Sequence, residues 1–216
     1  MRTQRTLLIL VSLLMLLTLA ACGEDDGPVE PTPEPWTPPT STAELLNGFT
    51  TALVEMNIVE LSRLLHDDFE MVLLSETCEA WEWPVGTRLD RTQFVDLHEN
   101  MFSGQAGTDS RGSSVHPVAS IIVDLFEAQD IWKDIEADDP WFADVAGGFA
   151  PYRVNLQFFN AERSHKYEVQ QRVHLYAVPV TIAGVDGFQL IGLGPLPLGK
   201  SATDEASWCT VCALYL

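Results

Sequence analysis

Leu61-Ser62-Arg63-Leu64-Leu65-His66-Asp67-Asp68-Phe69 is where the chain changes its period. Ile58, Leu61, Leu64 and Leu65 recur at three- and four-residue intervals, one stripe of a short helix that ends near His66. Beyond the two acids, Phe69, Met71 and Leu73 alternate with Glu70, Val72 and Leu74, the pattern of a strand. A helix running straight into a strand makes this an α+β chain.

Working outward, Ser41-Thr42-Ala43-Glu44 has capping-box spacing just after Pro38 and Pro39. Leu45, Leu46, Phe49, Ala52, Leu53 and Met56 then form the stripe of a first helix, which Asn57 breaks. On the other side, residues 75–88 read as irregular and hold Cys78, Trp81 and Trp83. Asp90 with Gln93 caps a third helix, with Phe94, Leu97, Met101 and Phe102 at helical spacing. A polar, glycine-rich loop over 104–114 precedes a strand over 115–126. Residues 127–150 form a long acidic insertion with Trp132, Trp141 and Phe142. The last third is β: alternation over 152–158, a turn at 160–163, alternation again over 167–175, a turn at 184–187 and a strand over 188–193. Residues 207–216 read as a closing strand. The two long strands have the half-buried pattern of an antiparallel sheet with one wet face.

Helix, helix, strand, helix, then long antiparallel strands is an order that resembles the nuclear transport factor 2-like superfamily. Leu61 to Phe69 is similar to that superfamily's L..LL.DDF passage from helix into first strand. The resemblance covers 42–216 in element order and those nine residues as a motif. It implies a cystatin-like cone, with three N-terminal helices packed on a curved antiparallel sheet around a concave apolar pocket. The superfamily includes ketosteroid isomerases, scytalone dehydratase and polyketide cyclases, which put Asp, His or Tyr inside the cone. The insertions at 75–88 and 127–150 depart from the pattern and would lid or fill the cone.

The chain begins with Arg2 and Arg5, followed by an uncharged apolar run from 7 to 21. That run is roughly 22 Å of helix, short of the ~20 apolar residues a span requires. It reads as an export signal. Its end, Leu19-Ala20-Ala21-Cys22, resembles the lipobox of bacterial lipoproteins. The resemblance implies cleavage after residue 21 and acylation of Cys22, which becomes the mature N-terminus. Two or three acyl chains anchor stably where one does not. Gly23 after the cysteine is similar to the outer-membrane sorting pattern of Gram-negative lipoproteins, so the expected place is the cell envelope, on the outer membrane facing the periplasm or the cell surface. Residues 22–40 form a tether rich in Pro, Glu and Thr, extended at ~3.1 Å per residue. Residues 41–216 make one domain.

Lys and Arg number 12 against 31 acids, a net charge of −19. Removing 1–21 takes away Arg2 and Arg5 and no acid, giving −21. Such a surface repels nucleic acid and anionic headgroups. The expected partners are the bilayer through acylated Cys22, a small apolar ligand and a second copy in a homodimer, with no nucleic acid.

Trp208-Cys209-Thr210-Val211-Cys212 mimics a thioredoxin-type WCxxC. Read as a strand, it lacks the helix N-terminus that lowers such a thiol's pKa and sets the two cysteines on opposite faces. The expectation is a structural bridge among Cys78, Cys209 and Cys212, or buried thiols. The histidines at 66, 98, 116, 165 and 174 lack zinc spacing. The acids of 134–139 begin like a calcium loop, but Pro140 and Val145 fall where that loop needs other residues. No metal and no cofactor is read. Tyr152 and Tyr167 share an apolar face, while Glu168, Arg172 and His174 lie on the opposite polar face, wet or at a dimer interface. With no assembled acid, base and oxyanion donor, no catalytic residue is named. The candidate pocket comprises Tyr152, Tyr167, Trp81, Trp83 and Asp68. The function read is a membrane-anchored, non-catalytic module for small-molecule binding or envelope structure. A cone-fold isomerase, dehydratase or cyclase acting on a small apolar substrate is the alternative.

Overall fold

The computed structural model describes residues 36–195 and 208–215. Cys22, the signal over 1–21 and the tether up to residue 35 lie outside them. Contacts divide the chain into Met1–Trp36 and Thr37–Leu216, and all the described helices and strands belong to the second unit.

The first helix, α1 (Thr42–Val54), starts as its capping signal predicts: Ser41 Oγ accepts the Glu44 N–H at 3.2 Å. The return half of the box is shifted by one residue. Glu44 takes the N–H and the hydroxyl of Thr40, at 2.8 and 2.7 Å, which holds its carboxyl below the usual range. Leu45, Leu46, Phe49, Ala52 and Leu53 are buried. Asn57, expected to break the helix, does so by capping the next: its side chain accepts the Glu60 N–H of α2 (Ile58–Arg63).

Strand β1 (Leu65–Val72) begins at Leu65, so the helix ends before His66. It pairs with the last long strand, β9 (Val185–Pro195), at Leu65↔Leu190 and then at Glu70↔Gly192. Five residues of β1 are thus spanned by two of β9, and Asp67 and Asp68 are squeezed out to solvent. This pairing is parallel, so the expected antiparallel sheet is mixed. The βαβ requirement for a long crossover is met by everything between the two strands.

The irregular stretch holds a short helix, α3 (Ser75–Ala80), and a short strand, β2 (Arg88–Asp90). Asp90 then caps α4 (Arg91–Phe102) with a complete box, Gln93 N–H to Asp90 at 2.9 Å and Asp90 N–H to Gln93 at 3.0 Å. The polar loop contains the two-residue ladder of β3 (Gly107–Thr108) and β4 (Ser114–Val115). The strands β5 (Ser120–Ala128), β6 (Lys133–Asp134), β7 (Gly148–Phe159) and β8 (Lys166–Ile182) follow. The order across the sheet is β2-β1-β9-β8-β7-β5, with β6 also on β7. Ala183 and Gly184, at φ 51° and 80°, turn β8 into β9 with a two-residue loop whose twist suits the flanking strands.

The closing stretch is helix α5 (Trp208–Ala213), not a strand. Val211, Cys212 and Tyr215 are buried at i, i+1 and i+4. Periodicity cannot separate helix from strand in so short an apolar run, and docking decides. The Tyr215 hydroxyl donates to the His116 carbonyl at 2.8 Å, and Asn100 of α4 donates to the Tyr215 carbonyl at 3.2 Å.

The core lies between the helices and one face of the sheet. Ala150, Tyr152, Val154, Leu156 and Phe158 of β7 stand opposite Leu175, Val173, Gln171, Val169 and Tyr167 of β8. Phe49, Phe69 and Phe94 fill the space above, all but inaccessible to solvent.

Candidate functional site

The insertion expected to lid or fill the cone packs, through Ile135 to Phe149, on the other face of the sheet, while its Trp132 reaches Tyr152. Phe142 lies flat against Gly192, where an added Cβ would come within 2.0 Å of the ring's Cζ. Trp141 covers Gly194 in the same way, its Cδ1 at 3.0 Å from such a Cβ. Two residues without side chains on the outer face of β9 are the seat for two aromatics. Phe142, Tyr176, Val178 and Ile191 form a small second core there, with Ile135, Val145 and Phe149 around it.

One carboxylate latches this layer. Asp139 Oδ1 accepts the N–H groups of Trp141 and Phe142 at 2.8 and 2.9 Å, and Oδ2 accepts the Tyr176 hydroxyl at 3.2 Å. Burial, then the Asp139 charge, pushes the Tyr176 hydroxyl far above its usual range. His174 Nδ1 is 3.4 Å from that hydroxyl; burial lowers its pKa, with Asp139 opposing. On the far side Arg88 pairs with Glu70 and lies 5.9 Å from the Phe142 ring centre. A tyrosine, an acid and a histidine thus meet, but Asp139 is consumed as an acceptor on both oxygens. The trio holds a loop down. Sequence reading put His174 on the wet face and missed Tyr176 and Asp139; the glycines at 192 and 194, alternating on one face of a strand, were the available signal.

The five candidate pocket residues fall in four places. Tyr152 lines an open groove of about 580 Å³ between α1 and β5, with Leu46, Thr50, Val54, Val123 and Phe126. Burial raises its hydroxyl pKa, and a hydrogen bond from Trp132 opposes the shift. Tyr167 sits at the other end of the sheet near Tyr215, whose hydroxyl burial pushes up to about 12. Trp81 and Trp83 stack on each other, ring centres 5.4 Å apart, outside the core. They close α3 by a Schellman motif: Trp83 N–H to the Cys78 carbonyl at 2.8 Å and Glu82 N–H to the Glu79 carbonyl at 3.3 Å, with Glu82 at φ 57° where glycine is usual. Asp68, in the bulge of β1, has its side chain 87% exposed.

Cys78 is buried with a free thiol and Cys212 is buried, so the expected bridge does not join Cys78; the Cys209 side chain lies outside those described. Thr77 and Thr210 join α3 to α5 instead, hydroxyl to hydroxyl at 3.1 Å. Among the described residues no group of three or more His, Cys, Asp or Glu could hold a metal, and no helix is long and apolar enough to cross a membrane.

No protein-family model matches the chain, and no curated protein does. Among solved structures, it is similar to a candidate Ca/calmodulin-dependent kinase II association domain from Exiguobacterium sibiricum 255-15. That likeness is 15% identity over 74% of this chain and 92% of the other, with TM-score 0.41. An NTF2-like protein of unknown function in nutrient uptake from Rhodospirillum rubrum is 10% identical over 72% of this chain and 98% of its own, TM-score 0.40. An NTF2-like protein from Cytophaga hutchinsonii is 13% identical over 71% and 94%, TM-score 0.38.

Proposed function

We propose that this chain is a lipoprotein of the bacterial envelope, held at the outer membrane by acylated Cys22, whose nuclear transport factor 2-like domain binds a small, largely apolar ligand without transforming it. The observation that carries the binding reading is the groove between α1 and β5. Its walls are Leu46, Val54, Val123 and Phe126, with the Tyr152 hydroxyl and Thr50 as the polar groups that would orient a ligand. A mostly apolar concavity with a few convergent polar groups is the usual form of such a site. The anchor rests on the lipobox, and the fold name on element order and the Leu61 to Phe69 passage.

Native mass spectrometry of the full chain from detergent, with 2-naphthol added as an apolar probe carrying one hydroxyl, tests the groove. The probe or a co-purified molecule should stay bound to the wild type and be lost in Val54→Trp, a change at a 47% exposed position on the groove's rim. Equal retention by both proteins, or none by the wild type, ends the binding reading. Cys22→Ser should abolish palmitate incorporation and membrane sedimentation; retention of both ends the anchoring reading.

A further inference from the structure

The outer face that the insertion leaves open carries two like charges side by side. Arg153 of β7 and Arg172 of β8 are direct cross-strand partners, both exposed, and flanked along their strands by buried residues that point to the core. Directly opposed residues have Cβ atoms ~4.5–5.5 Å apart, and like charges so placed destabilise a sheet. Glu127 of β5 is the register partner of Arg153 on its other side, yet no carboxylate among the described residues lies within ion-pair distance of either guanidinium. Two other acids nearby on this face are engaged elsewhere. Asp124 accepts from Asn155 at 3.1 Å, and Glu168 is held by Lys166 and Gln170. With only 12 basic residues against 31 acids in the chain, two of them stand adjacent, with Glu127 across from Arg153 but no ion pair to either among the described residues.

We infer that the Arg153–Arg172 pair is a binding site for the phosphate group of a small soluble molecule, separate from the groove of the proposed function. Two planar guanidiniums offer N–H forks that match the oxygens of a tetrahedral oxyanion. A phosphate monoester carries about −1.5 to −2 at pH 7, which neutralises both arginines; a carboxylate would leave one unbalanced. The strong acidity of the rest of the chain repels polyanions and anionic membrane surfaces. A small dianion, entering within the ~8 Å screening length of physiological salt, meets the local pair and the single charge of Glu127 beside it.

Calorimetric titration of the full chain in detergent with inorganic phosphate, at constant ionic strength, tests this. Phosphate should bind the wild type and the control Arg111→Gln alike, and bind Arg153→Gln or Arg172→Gln at least about tenfold more weakly. In phosphate-free buffer Arg172→Gln should melt no lower than wild type, because a like-charge contact is relieved; a lowered melting temperature would mean a structural arginine and overturn the site. Three other results also overturn it. These are equal phosphate affinity in all four proteins, acetate binding as tightly as phosphate, and phosphatidylglycerol vesicles captured through the same two arginines.

Discussion

Gly192→Ala tests whether the outer layer is seated as described. An alanine Cβ there would meet three atoms of the Phe142 ring at 2.0, 2.5 and 2.7 Å, all well inside van der Waals contact. The ring cannot tip away from the strand without leaving Tyr176, whose ring centre is 4.4 Å away, and the two N–H groups fixing residues 141 and 142 on Asp139 resist a shift of the loop. Overpacking typically costs about 1–3 kcal/mol, and expelling a 6% exposed phenylalanine forfeits about 2–3 kcal/mol of burial. The two are alternatives, so the cheaper sets the cost, about 1–3 kcal/mol. Urea denaturation of the full chain should show it, together with faster hydrogen exchange over residues 139–147. Because the clash needs both partners, Gly192→Ala on a Phe142→Ala background should cost less than about 0.5 kcal/mol, a coupling of about 2 kcal/mol between contacting residues. Additive costs in the double mutant, or a single mutant within about 0.5 kcal/mol of wild type, would refute the seating.

His98 makes stability depend on pH. It is buried, its Nε2 has no partner among the described residues, and burial lowers its pKa to about 4. The unfolded chain therefore takes up a proton near pH 6.5 that the folded chain refuses until about 4, so this contribution is present above pH 6.5 and is lost as pH falls. Between pH 7 and 5 the loss should be roughly 2 kcal/mol at about 1.36 kcal/mol per unit. His98→Phe should flatten that slope in urea melts, and an unchanged slope would exclude His98 as its source. Asp90→Ala removes the side-chain acceptor of the Gln93 N–H in the complete capping box and should cost about 1 kcal/mol. Asp90→Ser should recover most of it, and equal losses in both variants would discount the cap.

Helix starts were legible because they are local. Ser41, Asn57 and Asp90 each announce a helix by a side chain that must satisfy an N–H two or three residues on, and each does so. The inner face was legible because alternation over 152–158 and 167–175 maps onto one buried layer. What could not be read depends on register. That β1 runs parallel to β9 is decided across the whole chain, and the same pairing expels Asp68 from any interior. Asp139 meets Tyr176 across a strand whose two glycines seat the loop, and no local pattern links positions so far apart. The candidate pocket fails as a set for this reason: Tyr152 and Tyr167 share a face, but lie at opposite ends of β7 and β8. For α5 the alternation of Trp208-Cys209-Thr210-Val211-Cys212 supports either period, and only contacts with α3 and α4 select the helix.

The edges of the sheet bear on how copies could associate. β5 ends the strand order, and an unpaired edge of that length invites pairing with another chain. The register of β5 on β7 shifts between Val123 and Leu125, leaving Asp124 as an extra residue tied to Asn155. A charged bulge in mid-strand twists the edge and interrupts the regular row that a partner strand would pair with. The opposite edge, β2, is three residues long. With both edges blunted, the expected homodimer is left with faces, and half of the outer face is occupied by the latched insertion. A twofold axis through the other half, centred on the Arg153–Arg172 row, would bring four guanidiniums together. That arrangement is repulsive unless anions sit between them, so face-to-face dimers and phosphate at this row would be coupled, the anion favouring the pair of copies that bare arginines oppose.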